Sequence, residues 1–194
     1  MSQKVQILVL CEDGQTSSFA LRYLKSKGFS SHKIRILVSP SASGSAYTYV
    51  LNNFPVELEN LRKDSVSRKL LAIIDEDGRG RSIADFQEAC KKANVLFRTD
   101  KEPVAILIPK RNIETWIYFL EHQSAVDETK DYKTQVHHGT PTVCCKQAVR
   151  VLDEICSGND RANWPSSLAA ACPEIQQLLQ ESSEEKTDYA LPQI

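Results

Sequence analysis

Apolar and polar positions along the chain alternate between two rhythms. Residues 5–11 are nearly all apolar and rich in branched side chains, the pattern of a strand buried on both faces. Residues 16–27 place Phe19, Ala20, Tyr23 and Leu24 on one helical face, with Gly28 as the stop. A second strand is predicted over 34–38 and a Ser/Pro/Gly loop over 39–45. Residues 46–61 carry apolar side chains at mixed helical spacing, and Pro55 is expected to break or kink them. A third strand over 69–74, a helix over 82–93 capped by Ser82, a fourth strand over 103–108 and a short helix over 112–121 complete the series.

This β-α-β order predicts a mostly parallel sheet with helices on both faces. Beyond Ser124 the rhythm changes. Residues 127–141 read as polar loop and 142–156 as a helix. Residues 166–172 and 173–179 read as one or two helices, the second opened by Pro173 at its first position. Residues 181–194 are acidic and read as a loose tail. The expected fold is therefore α/β, with a sheet unit over 1–124, a helical appendage over 125–180 packed on the same domain, and a tail over 181–194.

Composition narrows the function classes. With 194 residues, 41% apolar and 25% charged, the chain is neither collagenous, coiled coil nor disordered throughout. A formal charge of −1 excludes binding to nucleic acid by bulk positive charge, but not a nucleic-acid enzyme with local basic groups. The longest apolar runs, such as 104–108, fall far short of the ~20 residues of a membrane span. The start of the chain lacks the pattern of a signal peptide. None of the six cysteines forms a CxxC pair; most sit among apolar residues and are read as reduced core thiols, which suggests the cytoplasm.

Ligands in open α/β sheets gather outside the carboxyl ends of the strands. Glu12-Asp13-Gly14 follows the first strand, Asp75-Glu76-Asp77-Gly78 the third, and Lys110-Arg111-Asn112 with Glu114 the fourth. Taken singly, each carboxylate could cap the next helix. Taken jointly, clustered carboxylates repel unless a cation lies between them, and hard oxygen donors suit Mg²⁺ or Mn²⁺. Asp75 and Asp77 are two apart, so on an extended strand end both would face one side. Ser43-Gly44-Ser45, before the second helix, could cradle a phosphate or simply turn the chain with Ser45 as cap. Arg79 and Arg81 could meet a phosphate backbone or be solvated. His137-His138 point opposite ways on an extended segment, which disfavours a shared metal.

The Glu after the first strand and the Asp-x-Asp after the third resemble the Toprim family of metal-binding domains. The segment Lys110-Arg111-Asn112-Ile113-Glu114-Thr115-Trp116 is similar to the Glu-x-Trp stretch of its small RloB-like members, relatives of the OLD nucleases linked to phage defence. The resemblance covers roughly residues 4–122. It implies that Glu12 is a metal ligand or acid/base, and that Asp75 and Asp77 hold Mg²⁺ or Mn²⁺. It implies that Glu114 binds a second metal or orients Lys110 and Arg111, with Lys110 stabilising charge on the phosphodiester. Trp116 reads as core. The implied partners are a nucleic-acid substrate, an ABC/SMC-like ATPase and, optionally, a second copy of the chain; no membrane is expected.

The leading expectation is thus a Mg²⁺-dependent nuclease. Two alternatives stay open. One is a receiver-like phosphoacceptor module built on Glu12-Asp13, Asp75 and Lys110. The other is an inactive Toprim scaffold that only binds a partner.

Overall fold

A computed structural model describes residues 6–40, 44–63, 68–136, 145–158 and 163–180. Ser43, the His137-His138 pair, Cys144 and the 181–194 segment lie outside the described residues. The fold is α/β, as expected: four parallel strands with helices on both faces and further helices at the C-terminal side. The strands are β1 (Ile7–Cys11), β2 (Ile34–Val38), β3 (Lys69–Ile73) and β4 (Val104–Leu107), side by side in the order β2-β1-β3-β4. β1 pairs with β2 from Ile7 opposite Ile34, and with β3 from Ile7 opposite Lys69.

Alternation along the strands divides the core in two. Ile7, Val9, Cys11, Leu71, Ile73, Ala105 and Leu107 face one side, where α1 (Gly14–Ser26), α4 (Ile113–His122), α5 (Lys146–Ser157) and α6 (Ser166–Leu179) cover them. Leu8, Leu10, Leu70, Ala72, Ile74, Val104 and Ile106 face the other, beneath α2 (Ala46–Lys63) and α3 (Ile83–Lys92). The two apolar faces explain why the strands read as continuous runs rather than alternating ones. The chain leaves β1 to one side for β2, then crosses β1 to reach β3. That reversal puts the topological switch point between β1 and β3, where open α/β sheets leave a crevice.

Two prolines lie inside continuous helices, Pro55 against the expected break and Pro173 as the one-helix alternative allowed. Pro55 lies inside α2, which runs unbroken because Val50, Phe54 and Leu58 anchor it to the sheet on both sides of the proline. Pro173 lies inside α6, a single helix whose Leu168, Ala171, Cys172, Ile175 and Leu178 are buried at helical spacing. The thiol reading also needs correction. Cys156 of α5 and Cys172 of α6 form a disulfide, their Cα atoms 5.2 Å apart, whereas Cys11 and Cys90 are free and buried. No helix among the described residues is long and apolar enough to cross a membrane.

The C-terminal helices are part of the main core, and α6 also guards an edge of the sheet. β4 is an edge strand, whose outward N–H groups need partners. Glu174 on α6 accepts the Ile106 N–H at 2.9 Å and pairs with Arg98 at 2.5 Å. Arg98 in turn donates to the Val104 carbonyl at 2.9 Å. The Arg98 and Glu174 side chains are 8% and 17% exposed, so the pair is screened little. Removing one partner would strand the other beside an unmet strand N–H. Glu174→Ala is therefore expected to cost ~3 kcal/mol of unfolding free energy in urea. A loss below ~1 kcal/mol, the range of an exposed pair, would show that α6 is not needed at the β4 edge.

Candidate functional site

The carboxyl ends of β1, β3 and β4 bring four carboxylates to the switch point. Asp75 leaves the end of β3 and is 9% exposed. Its Oδ1 is buried and has no hydrogen-bond partner among the described residues. Glu12, after β1, accepts the Asp75 N–H at 2.9 Å. Asp13 is the N-cap of α1, accepting the Thr16 N–H at 2.8 Å. Glu114 is buried in the first turn of α4, whose N-cap Asn112 accepts the Thr115 N–H at 3.2 Å. Helix capping thus accounts for Asp13 but leaves Asp75 without a structural purpose.

The electrostatics follow from this crowding. Burial, then Asp13, Glu12 and Glu114, push the Asp75 carboxyl up to about 8, with Lys133 opposing. Burial likewise raises Glu12, against the opposing pull of Arg81 and the Asp75 N–H. Burial is the larger cause and the neighbouring carboxylates add to it, so Asp75 keeps its proton more readily than an ordinary carboxyl.

Asp77 adds its negative charge to the group, raising Glu12, but from a different backbone setting. The strand ends at Ile73, and Asp77 sits in a left-handed turn with φ 59, so the expected two-residue alternation with Asp75 is lost. Its N–H donates to the Arg111 carbonyl at 3.0 Å. Its carboxylate lies instead 3.3 Å from Arg79, 3.9 Å from Arg111 and 4.0 Å from Arg81. Among the described residues, no three Asp, Glu, His or Cys side chains converge closely enough to hold a metal as they stand.

Arg81 is the group that sequence reasoning undervalued. Its side chain is only 10% exposed and lies over the Tyr47 ring, 4.2 Å from the centroid. It donates to both Glu12 oxygens at 3.2 and 3.4 Å and to the Asp75 carbonyl at 2.9 Å. No linear signal marks it, because Glu12 and Tyr47 are distant in sequence. Glu76, by contrast, is used up locally, accepting the Gly78 and Gly80 N–H groups at 2.7 Å each.

The other expected residues are peripheral. Lys110 is exposed and Arg79 is 69% exposed at the rim. Arg111 is half-buried between Asp77 and Asp131. Gly44 is exposed with φ 84, and Ser45 accepts the Thr48 N–H at 3.4 Å, a weak version of the capping role. Trp116 lies in the core as read, its Nε1 donating to Ser167 at 2.7 Å.

The donor set can be judged against Mg²⁺ or Mn²⁺ on these facts. Asp75 offers a buried, unused oxygen of the hard type those ions take, and Glu12 is bonded to the Asp75 backbone beside it. Asp75 and Glu12 are therefore the residues that could take part in holding such an ion, within the field of Asp13 and Glu114, although as they stand they do not form a metal cluster among the described residues.

The raised Asp75 has a measurable consequence. Its folded-state value lies above the usual carboxylate value of 3.8, so the folded form binds the proton more tightly. Stability should therefore be highest below pH ~4 with respect to this group and fall as pH rises toward ~8. Asp75→Asn removes that fall. In EDTA, its melting temperature is expected to exceed wild type by at least ~2 °C at pH 8 and to match it near pH 4. Parallel pH profiles would contradict the crowding.

No protein-family model matches this chain, and neither a curated protein nor a solved structure matches it. The site's own chemistry therefore carries the functional reading.

Proposed function

We propose that the protein is a Mg²⁺- or Mn²⁺-dependent phosphodiester hydrolase acting on nucleic acid. The observation that carries this reading is Asp75 Oδ1: buried, without a hydrogen-bond partner among the described residues, and surrounded by carboxylates at the switch point of a parallel sheet. Folded proteins rarely leave such an oxygen unused, and a binding role accounts for it. The Toprim resemblance of Glu12 and the Asp75-x-Asp77 segment points the same way.

In this reading Asp75 and Glu12 hold the ion, and Asp13 and Glu114 deepen the negative potential that attracts it. When bound, a divalent ion of this kind polarises a phosphoryl oxygen and lowers the pKa of a bound water. The chain's basic groups handle the substrate. Lys110, exposed after β4, and Arg79 and Arg111, beside Asp77, would contact phosphate oxygens by charge-assisted hydrogen bonds. The buried Ile73, at the end of β3, and Ile74, just after it, fix the backbone below Asp75, so its carboxylate needs little ordering on binding.

The charge of −1 gives the chain little general grip on a polyanion, so a partner is included in the proposal. The resemblance names an ABC/SMC-like ATPase and a role in phage defence. A cytoplasmic location follows from the nucleic-acid substrate rather than from cysteine usage, because the Cys156–Cys172 bond removes the argument from reduced thiols. The phosphoacceptor alternative is served less well, since it needs a solvent-open carboxylate and Asp75 is nine-tenths buried.

Mg²⁺ or Mn²⁺ at ~100 times the dissociation constant should stabilise wild type by ~2.7 kcal/mol, a rise of roughly 5–10 °C in melting temperature. Asp75→Asn should lose that rise, and cleavage of plasmid or total RNA with Mn²⁺ should fall at least ~100-fold. Equal metal-induced shifts in both proteins would remove Asp75 from the site. Absence of a shift in wild type would overturn the metal reading itself.

A further inference from the structure

Arg81 occupies one ligand of the proposed ion. Its contacts differ in quality. The bond to the Asp75 carbonyl is 2.9 Å, whereas the two to Glu12 are 3.2 and 3.4 Å, long for a guanidinium–carboxylate pair. The stronger anchors are thus the carbonyl and the Tyr47 ring, and the weaker one is Glu12. A second carboxylate already waits at the other end of the fork, where Nη2 lies 4.0 Å from Asp77 Oδ2. Asp75 Oδ1 has no hydrogen-bond partner among the described residues, so this guanidinium does not satisfy the pocket as a whole.

We propose that Arg81 is a tethered cation that neutralises Glu12 before a divalent ion binds, and that it passes to Asp77 when the ion takes Glu12. The inference rests on the metal reading above and adds to it a named competitor and a landing residue. It also gives Asp77 a purpose consistent with its position. Asp77 sits among Arg79, Arg81 and Arg111 because it receives guanidinium groups, and it acts on the ion only through Arg81. Both are positioning residues. No bond is made or broken; one carboxylate exchanges a guanidinium for a metal ion, and a second carboxylate gains it. The charge around Glu12 then changes by one unit at each exchange, which sets how tightly the ion is held.

The test is Mn²⁺ binding to the full chain without substrate, followed by the electron paramagnetic resonance signal of free Mn²⁺. Arg81→Gln removes the competitor and is expected to bind Mn²⁺ about tenfold more tightly than wild type. Asp77→Asn removes the landing site and is expected to bind severalfold more weakly. In the Arg81→Gln background, Asp77→Asn should have no further effect, because a double-mutant cycle reports coupling when one residue acts through another. Arg81→Lys keeps the charge but not the two-way fork; it should shift binding in the same direction by less, and it serves in the cycle if Arg81→Gln does not fold. Equal or weaker binding by the Arg81 variants would overturn the inference while leaving the metal reading standing. A full-sized Asp77→Asn effect in both backgrounds would overturn it too, and would make Asp77 a ligand. Mn²⁺ binding by none of the proteins would overturn the metal reading and this inference with it.

Discussion

Asp75 is buried beside Glu12, Asp13 and Glu114, and like charges in a volume poor in water must be offset or neutralised. The fold supplies part of the offset. The N-termini of α1 and α4, capped by Asp13 and Asn112, turn their positive ends toward the same crevice. Arg81 supplies a full charge, but to Glu12 and a backbone carbonyl rather than to the Asp75 carboxylate. What remains is one buried carboxyl oxygen, Asp75 Oδ1, with no hydrogen-bond partner among the described residues, and the whole functional reading grows from it.

Holding this arrangement requires a rigid sheet, and each layer contributes. β1 and β3 lie next to each other in the middle, so Glu12 and Asp75 emerge from backbone fixed on both sides. β4 carries the chain to Asn112 and Glu114, and it is steadied at its outer edge by Arg98 and Glu174. The C-terminal helices therefore serve the site at a distance. α6 holds the edge strand, and Trp116 ties α4 to Ser167 at the start of α6.

β1, β3 and β4 were legible because burial on both faces leaves a short apolar run between turn signals, and β2, an edge strand with Arg35 exposed, is found at its expected bounds. Glu12 and Asp75 were legible because a carboxylate after a buried strand has few other places to go. The backbone at Asp77 was not, since its left-handed turn at φ 59 departs from the extended strand end that simple alternation assumes. Arg81 was not, because its burial depends on Tyr47 and Glu12, which only the folded chain brings near. Pro55 misled, and Pro173 left the number of helices open, for a related reason. A local propensity against helix is outweighed where apolar residues on both sides of the proline dock on the same surface. The Cys156–Cys172 pairing needs the packing of α5 on α6, which spacing alone does not reveal.

The central claim is that Asp75 Oδ1 is reserved for a cation. The most direct measurement is X-ray diffraction from crystals of the protein grown with Mn²⁺, recorded where manganese scatters anomalously. The account predicts an anomalous peak ~2.1–2.2 Å from Asp75 Oδ1, with Glu12 as a second ligand, directly or through water. Manganese bound only at the rim, or an Asp75 carboxyl that takes a protein hydrogen bond and no ion, would contradict it.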